Sequence, residues 1–320
     1  MIRRSTTNRS RWCPLRVWPF TKQKTEVRGQ KIDDSKGLHF LSSVVRPLSS
    51  PGRIHLYLNR NPLMQVCVLA SGSGGNAIYV QKGATRVLVD AGLAGREIDK
   101  RLRSIGVDVP KLMGIVVSHE HSDHISGVGI LARKVQCPVW LTRGTFDAAR
   151  SRFKGRERIR FFDNDQAFSI GDLSFQPFVI SHDASDPVNF VVDDGQSRLG
   201  IATDMGVVSK LAFERLSTSD MVILESNYDR EMLMTGPYPW SVKQRIQGSR
   251  GHLENTAASE TLGRLIDGGL EQVVLAHLSE ENNRRELALS ASESVIASRG
   301  LRNYQLSVAE QDQPTPIFVI

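Results

Sequence analysis

The stretch Val116-Val-Ser-His-Glu-His-Ser-Asp-His-Ile-Ser-Gly127 packs three histidines and an aspartate into six positions behind an apolar run, in a chain with only eight histidines. In extended backbone, residues i and i+2 point the same way, so His119 and His121 can grip one cation together. Asp123 and His124 come past the turn, where a helix over 125–135 is expected to begin, and can face a second cation nearby. Imidazole and carboxylate donors without thiolate suit zinc, with manganese or iron as substitutes. A polar loop that merely happens to be rich in histidine is the competing explanation. The strand in front of the motif and the partners further along the chain weigh against it.

Those partners follow from one regularity. Apolar strands repeatedly stop on a metal-capable side chain: Val-Leu-Val-Asp90, Ile-Val-Val-Ser-His119, Phe-Val-Ile-Ser-His182, Gly-Ile-Ala-Thr-Asp204, Val-Ile-Leu-Glu225 and Val-Val-Leu-Ala-His277. If these strands share an orientation, six polar groups converge on one rim. His182, Asp204 and His277 then complete two sites, with Asp204 able to bridge both. Asp90 is expected to orient a ligand histidine from behind rather than to bind metal.

Around these endings, residues 64–320 alternate short β-rich runs with helical stretches. Strands are expected over 66–69, 77–80, 86–90, 112–118, 138–142, 173–181, 188–193, 198–204, 220–225, 271–277 and 303–308. Helices are expected over 95–105, 125–135, 206–216, 239–247, 256–266 and 283–298. Strand-rich halves interleaved with helices imply an α/β protein with two packed sheets flanked by helices.

The net charge of +7 suggests nucleic acid until it is located. Residues 1–63 carry 13 Lys/Arg and 3 Asp/Glu, a net of +10; residues 64–320 carry 28 and 31, a net of −3. The body therefore supplies no general attraction for polyanions. Residues 1–63 read as a basic leader, disordered or non-native, with translation starting at Met64; a transit peptide also fits their composition. Cys13, Cys67 and Cys137 stand far apart, which suits a reducing, cytoplasmic setting and no disulfide framework. No apolar run reaches membrane-spanning length.

The ordered motifs Val-Asp90-Ala-Gly, Ser-His119-Glu-His121-Ser-Asp123-His124, Ser-His182-Asp, Thr-Asp204-Met-Gly and Ala-His277-Leu resemble those of the metallo-β-lactamase superfamily over residues 65 to about 310. The resemblance implies a four-layer αβ/βα sandwich with a two-metal cleft at the sheet edge. Leu69-Ala-Ser-Gly-Ser-Gly-Gly-Asn76, Glu225-Ser-Asn-Tyr-Asp229, Tyr238-Pro-Trp, Gly251-His-Leu-Glu-Asn255 and His277-Leu-Ser-Glu-Glu-Asn-Asn283 resemble one branch, the YycJ/WalJ-type proteins, regarded as DNA-processing phosphodiesterases. Tyr228 and Glu254 depart from that branch's pattern, which often has His and Ser there.

Gly72-Ser-Gly-Gly-Asn-Ala77 matches a loose dinucleotide fingerprint, but a strand follows where a helix is required, so no nucleotide cofactor is expected. The loop reads as a hairpin turn, with Asn76 a candidate substrate contact at the cleft mouth. His252 is a candidate proton donor or a helix cap. Asn282 and Asn283 are candidate substrate contacts, with helix-start capping the competing reading. Tyr238 and Trp240 read as packing residues. Lys243, Arg245 and Arg250 form a small basic cluster where phosphates would land.

Two dications about 3.5–4 Å apart would share a water and lower its pKa toward about 7. The expected activity is metal-dependent phosphodiester hydrolysis of DNA through a metal-bridging hydroxide, with Asp123, Asp90 and His252 as the catalytic candidates. Cleavage of a thioester, lactone or β-lactam is the second reading. A non-hydrolytic metal protein is the third, although no flavin partner domain is visible. Only 72 residues separate Asp204 from His277, too few for the large inserted domain of β-CASP enzymes.

Overall fold

Continuous Val/Ile/Leu runs such as Val-Cys-Val-Leu69 and Val-Val-Leu-Ala276 have no polar face, so each must be covered on both sides. A computed structural model describes residues 62–320. The leader expected over 1–63 lies outside the described residues, apart from its last two. In the first sheet, β1 (Gln65–Ala70), β2 (Ala77–Lys82) and β3 (Thr85–Val89) form an antiparallel meander. After α1 (Gly95–Ser104), β4 (Gly114–Val116) joins β3 in parallel; α2 (Ser122–Ile125) and α3 (Val128–Val135) lead to β5 (Pro138–Leu141). Then α4 (Arg143–Ala148) precedes the edge strand β6 (Arg158–Phe161).

The second sheet begins with the antiparallel run β7 (Phe168–Ile170), β8 (Leu173–Val179), β9 (Val188–Asp193) and β10 (Arg198–Ala202). The helix α5 (Lys210–Leu216) leads to β11 (Met221–Glu225), parallel to β10. A small cap of α6 (Arg230–Thr235) and α7 (Trp240–Gln247) precedes α8 (Asn255–Asp267). The parallel strands β12 (Gln272–Ala276) and β13 (Gln305–Val308) flank α9 (Arg285–Ser298), and β14 (Phe318–Val319) returns to pair with β1.

Three apolar layers hold four layers of structure together. Val68, Val80, Val89, Phe175, Phe190, Ile223 and Val274 fill the space between the sheets. Leu88, Ile98, Leu102, Ile115 and Leu131 seat α1 and α3 on the first sheet. Leu224, Leu262, Leu265, Ala288 and Ile296 seat α8 and α9 on the second. This is the αβ/βα sandwich that the motifs implied.

The sequence pattern did not reveal α4, β6, β7, α6 or β14, which are short or carry charge where a strand should be apolar. The expected 125–135 helix breaks at Ser126-Gly127 into α2 and α3. A Cβ on Gly127 would lie 2.1 Å from the Leu93 carbonyl oxygen, so the chain here packs backbone against backbone. The helix expected from 206 starts at Lys210 instead, where the Ser209 hydroxyl caps the Ala212 N–H. Among the described residues, no helix is long and apolar enough to cross a membrane.

Candidate metal centre

The strand endings do share an orientation. β3 and β4 run parallel in one sheet, and β10, β11 and β12 run parallel in the other. β8 points the same way as β10, because each is antiparallel to β9. All six therefore end on one rim. Asp90, Asp204 and His277, each one or two residues past its strand, have φ of 60°, 58° and 55°. This left-handed backbone costs a non-glycine residue about 1–2 kcal/mol, and its recurrence at three rim positions marks strain held by the surrounding packing.

Three overlapping groups of donors result, the third of which, Asp204, Glu225, His252 and His277, shares two members with the second. His119, His121 and His182 bring their ring nitrogens together, with His182 Nε2 3.1 Å from His121 Nδ1. Asp123, His124, Asp204 and His277 form the second. There, His124 Nε2 lies 3.1 Å from Asp204 Oδ2 and 3.4 Å from Asp123 Oδ2. His277 Nε2 lies 3.4 Å from Asp204 Oδ1 and 3.5 Å from Asp123 Oδ2. Asp204 Oδ1 is also 3.8 Å from His182 Nε2, so this carboxylate stands between the groups.

The residues fit a cation. His119 Nε2 and Asp204 Oδ2 are buried without a hydrogen-bond partner, although Oδ2 is close to His124. Such atoms cost about 1–3 kcal/mol each if left unsatisfied, and a bound cation would satisfy them. Burial, with the neighbouring His124, holds the His119 imidazole well below its usual pKa, which keeps a lone pair available. At His277 burial opposes the charge, but the carboxylates led by Asp204 outweigh it and push the ring up to about 10. At His124 burial is likewise outweighed by Asp204, Asp90 and Asp123, and its pKa rises. The field at this second group is built for positive charge.

Behind the donors stands a set of fixed partners. Asp90 Oδ2 lies 2.8 Å from His124 Nδ1 and accepts from the Ser118 hydroxyl, while Oδ1 accepts the Ser118 N–H. The same hydroxyl is 3.0 Å from His119 Nδ1. Fully buried Glu225 reaches His252 Nδ1 at 2.8 Å and His277 Nδ1 at 3.2 Å through Oε1, and accepts the Met205 N–H through Oε2. Asn76 Nδ2 lies 3.1 Å from His124 Nε2 and 3.3 Å from Asp123 Oδ2. Gly92 lets these loops meet: a Cβ there would sit 1.7 Å from the Asp123 carbonyl oxygen.

Ser118, Asn227 and Asp183 escaped the sequence reading. Asn227 Nδ2 donates to the His277 carbonyl at 2.7 Å, and Asp183 Oδ1 lies 3.5 Å from His182 Nε2. Serine, asparagine and a second acid beside a motif are too common to stand out. Glu225 did carry a signal, since it ends a strand as the donors do, but no role followed from that.

Other expectations need correction. Asn282 and Asn283 are buried. Asn283 Nδ2 donates to the Ser226 and Asn227 carbonyls, pinning the chain beneath the centre, and neither asparagine is the N-cap of α9. The cluster of Lys243, Arg245 and Arg250 is already engaged. Lys243 is buried on the Met234 and Gly236 carbonyls, Arg245 pairs with Asp183 at 2.6 Å, and Arg250 holds the His182 carbonyl. Trp240 is 59 % exposed, so any packing it makes is at the surface. Tyr228 and Glu254, the two departures from the branch pattern, face one another across an isolated β-bridge.

The beta-lactamase superfamily domain matches residues 85–278. Exodeoxyribonuclease YycJ of Bacillus anthracis is 34 % identical over 255 residues, covering 78 % of this chain and 97 % of that protein. Exodeoxyribonuclease WalJ of Streptococcus pneumoniae is 34 % identical over 262 residues, covering 79 % and 97 %. Among solved structures, the metallo-beta-lactamase fold protein YhfI from Bacillus subtilis superposes with a TM-score of 0.62 at 19 % identity, over 79 % of this chain and 99 % of its own. The chain belongs to the metallo-β-lactamase superfamily, in its YycJ/WalJ branch, and with it to a class of metal-dependent hydrolases.

Proposed function

We propose that the protein is a phosphodiesterase that digests DNA from an end, using two divalent ions, zinc or manganese. His119, His121 and His182 would hold one ion, Asp123, His124 and His277 the other, and Asp204 both. The observation that carries this reading is the Asp204 carboxylate, buried between two histidine groups with one oxygen unpaired. DNA as substrate is supported by the names of the two relatives, and a cytoplasmic setting by the free thiols of Cys67 and Cys137.

Ions bound there supply Lewis-acid polarisation of the phosphoryl group and lower the pKa of water toward about 7. The chain's own groups move the protons. Attack of water on phosphorus forms one P–O bond and breaks the bond to the departing oxygen; the water loses a proton and the departing oxygen gains one. Asp123 keeps 19 % of its side chain exposed, against 2 % for Asp204, which leaves it open to take the first proton. His252 is placed to deliver the second: its Nδ1 is held by Glu225, leaving Nε2 for the substrate. Asp90 acts through His124, as a positioning residue. The test is purified protein given end-labelled DNA, RNA, bis(p-nitrophenyl) phosphate and a thioester, with and without chelator. Release of mononucleotides from DNA ends, lost on chelation, is expected. Thioester cleavage with no diester cleavage overturns the reading.

A further inference from the structure

A concentrated run of basic residues spans α4 to β6. Between Arg143 and Arg160 the sequence has seven Lys/Arg against two acids, Asp147 and Glu157. This local +5 sits in a body whose net charge is −3, so the remainder of residues 64–320 carries −8. All seven basic residues are exposed. They run from α4 through the turn at Arg150–Arg152 to β6.

Several are already engaged. Arg150 pairs with Asp147, and Arg158 donates to the Gln136 carbonyl. Glu157 is neutralised from below by Arg133. Arg143 lies over the Phe161 ring at 3.8 Å and Arg150 over Phe146 at 5.1 Å, so an aromatic floor holds the strip's guanidinium groups in place. Arg152, Lys154, Arg156 and Arg160 pair with no carboxylate among the described residues. Charge on an edge strand can serve simply to stop another sheet from pairing. That explains Arg158 and Arg160, but Arg152, Lys154 and Arg156 precede the strand and guard no edge.

The strip is joined to the metal centre. The hydroxyls of Thr142 and Thr145, at the start of α4, reach the Asp186 carbonyl at 3.5 and 3.4 Å, and Asn164 holds the Asp186 carboxylate at 2.8 Å. Glu120, inside the His-x-His motif, accepts the Ser185 N–H at 2.7 Å. The loop from His182 to Asp186 is thereby clamped between the donors and the root of the strip.

We propose that the strip formed by Arg143, Arg152, Lys154, Arg156 and Arg160 is an exosite for the phosphate backbone of nucleic acid, which leads a strand to the metal centre. The choice of partner rests on the phosphodiesterase reading. The binding chemistry rests on exposed cations without acidic partners, which take successive phosphates without regard to sequence. The exosite also accounts for how a body of net negative charge holds a polyanion.

The test compares the full-length protein with a variant carrying Arg152→Gln, Lys154→Gln, Arg156→Gln and Arg160→Gln. A control loses the same charge elsewhere, through Lys100→Gln, Lys111→Gln, Lys210→Gln and Arg302→Gln. Binding of a fluorescent DNA is read by anisotropy with chelator present, so that no cleavage occurs, across about 50–200 mM salt. The strip variant is expected to bind about tenfold or more weakly at low salt, with the slope of log K against log salt reduced by about 3. The control changes far less. On metal-loaded protein, the loss on DNA should exceed any change on bis(p-nitrophenyl) phosphate by about tenfold. Equal slopes in wild type and variant, or equal losses in the control, overturn the proposal. So does loss of binding to phosphatidylserine vesicles with DNA binding intact. Strip-dependent DNA binding by a protein that cleaves no diester supports the exosite while removing the proposed reaction.

Discussion

The two halves of the metal centre are assembled in different ways. Four candidate ligands, His119, His121, Asp123 and His124, lie within six consecutive positions, whereas His182, Asp204 and His277 are spread over 96. The first set is placed by one strand end and the single turn of α2. The second needs three strands of the other sheet in register, with Leu224 opposite both Ala202 and Leu275. Its members also need unusual backbone: Asp204 and His277 have positive φ, and none of the first set does. The contiguous half is a local arrangement that the sheets then position; the dispersed half exists only once the second sheet is complete.

Asp204→Ala should have the largest effect, because its carboxylate faces both groups. Loss of both metal equivalents by elemental analysis, and a fall in diester turnover beyond about 10³-fold, are expected. His121→Ala, in the exposed part of the first group, should cost one equivalent and leave the other. Full metal content in the Asp204 variant would show that the halves do not share a ligand. Next, His252→Ala and Glu225→Gln should each reduce turnover by about 10²–10⁴-fold, with the double variant little worse than either, since the pair acts as one proton donor. His252→Ala should also flatten one limb of the pH–rate profile and leave metal content unchanged. A double variant that loses the product of the two single effects would mean the residues act separately.

Asp90→Asn should weaken metal binding by about 10–100-fold, because it removes the acceptor that fixes the His124 ring; metal titration against a competing chelator measures this. The smallest effect concerns pH. His277 is raised from 6.5 to about 10 in the metal-free protein. Its contribution to stability is complete below pH about 6.5 and is lost as pH rises toward 10. Melting temperature with chelator should therefore decline across that window, and metal-loaded protein should not show the decline. Parallel pH curves for the two forms would argue that His277 does not exchange its proton for a metal.

Period and punctuation made the strand endings visible, including Glu225, and with them the rim. What they could not show was which polar side chains turn inward. Lys243 reads as one of three cations near His252, yet it is buried on two carbonyl groups. Asn283 lies in a motif-rich stretch, yet its amide pins backbone rather than facing the cleft. The seven basic residues of 143–160 were diluted by averaging charge over the whole body, and β6 was hidden because an edge strand can afford charge on both faces.

Residue type and spacing along the chain specified a divalent-metal site, the order of the strands and most of the ligand candidates, and the resemblance of the motifs pointed to a hydrolase. Those properties depend on neighbours within a few positions and on side-chain chemistry that does not change on folding. Tertiary structure decided that Asp204 stands between the two donor groups, that Glu225 serves both His252 and His277, and that the loop from His182 to Asp186 is tied to the start of α4. Each of these depends on distances between segments far apart in the chain, which are set only when two sheets pack face to face and their carboxyl ends meet on a common rim.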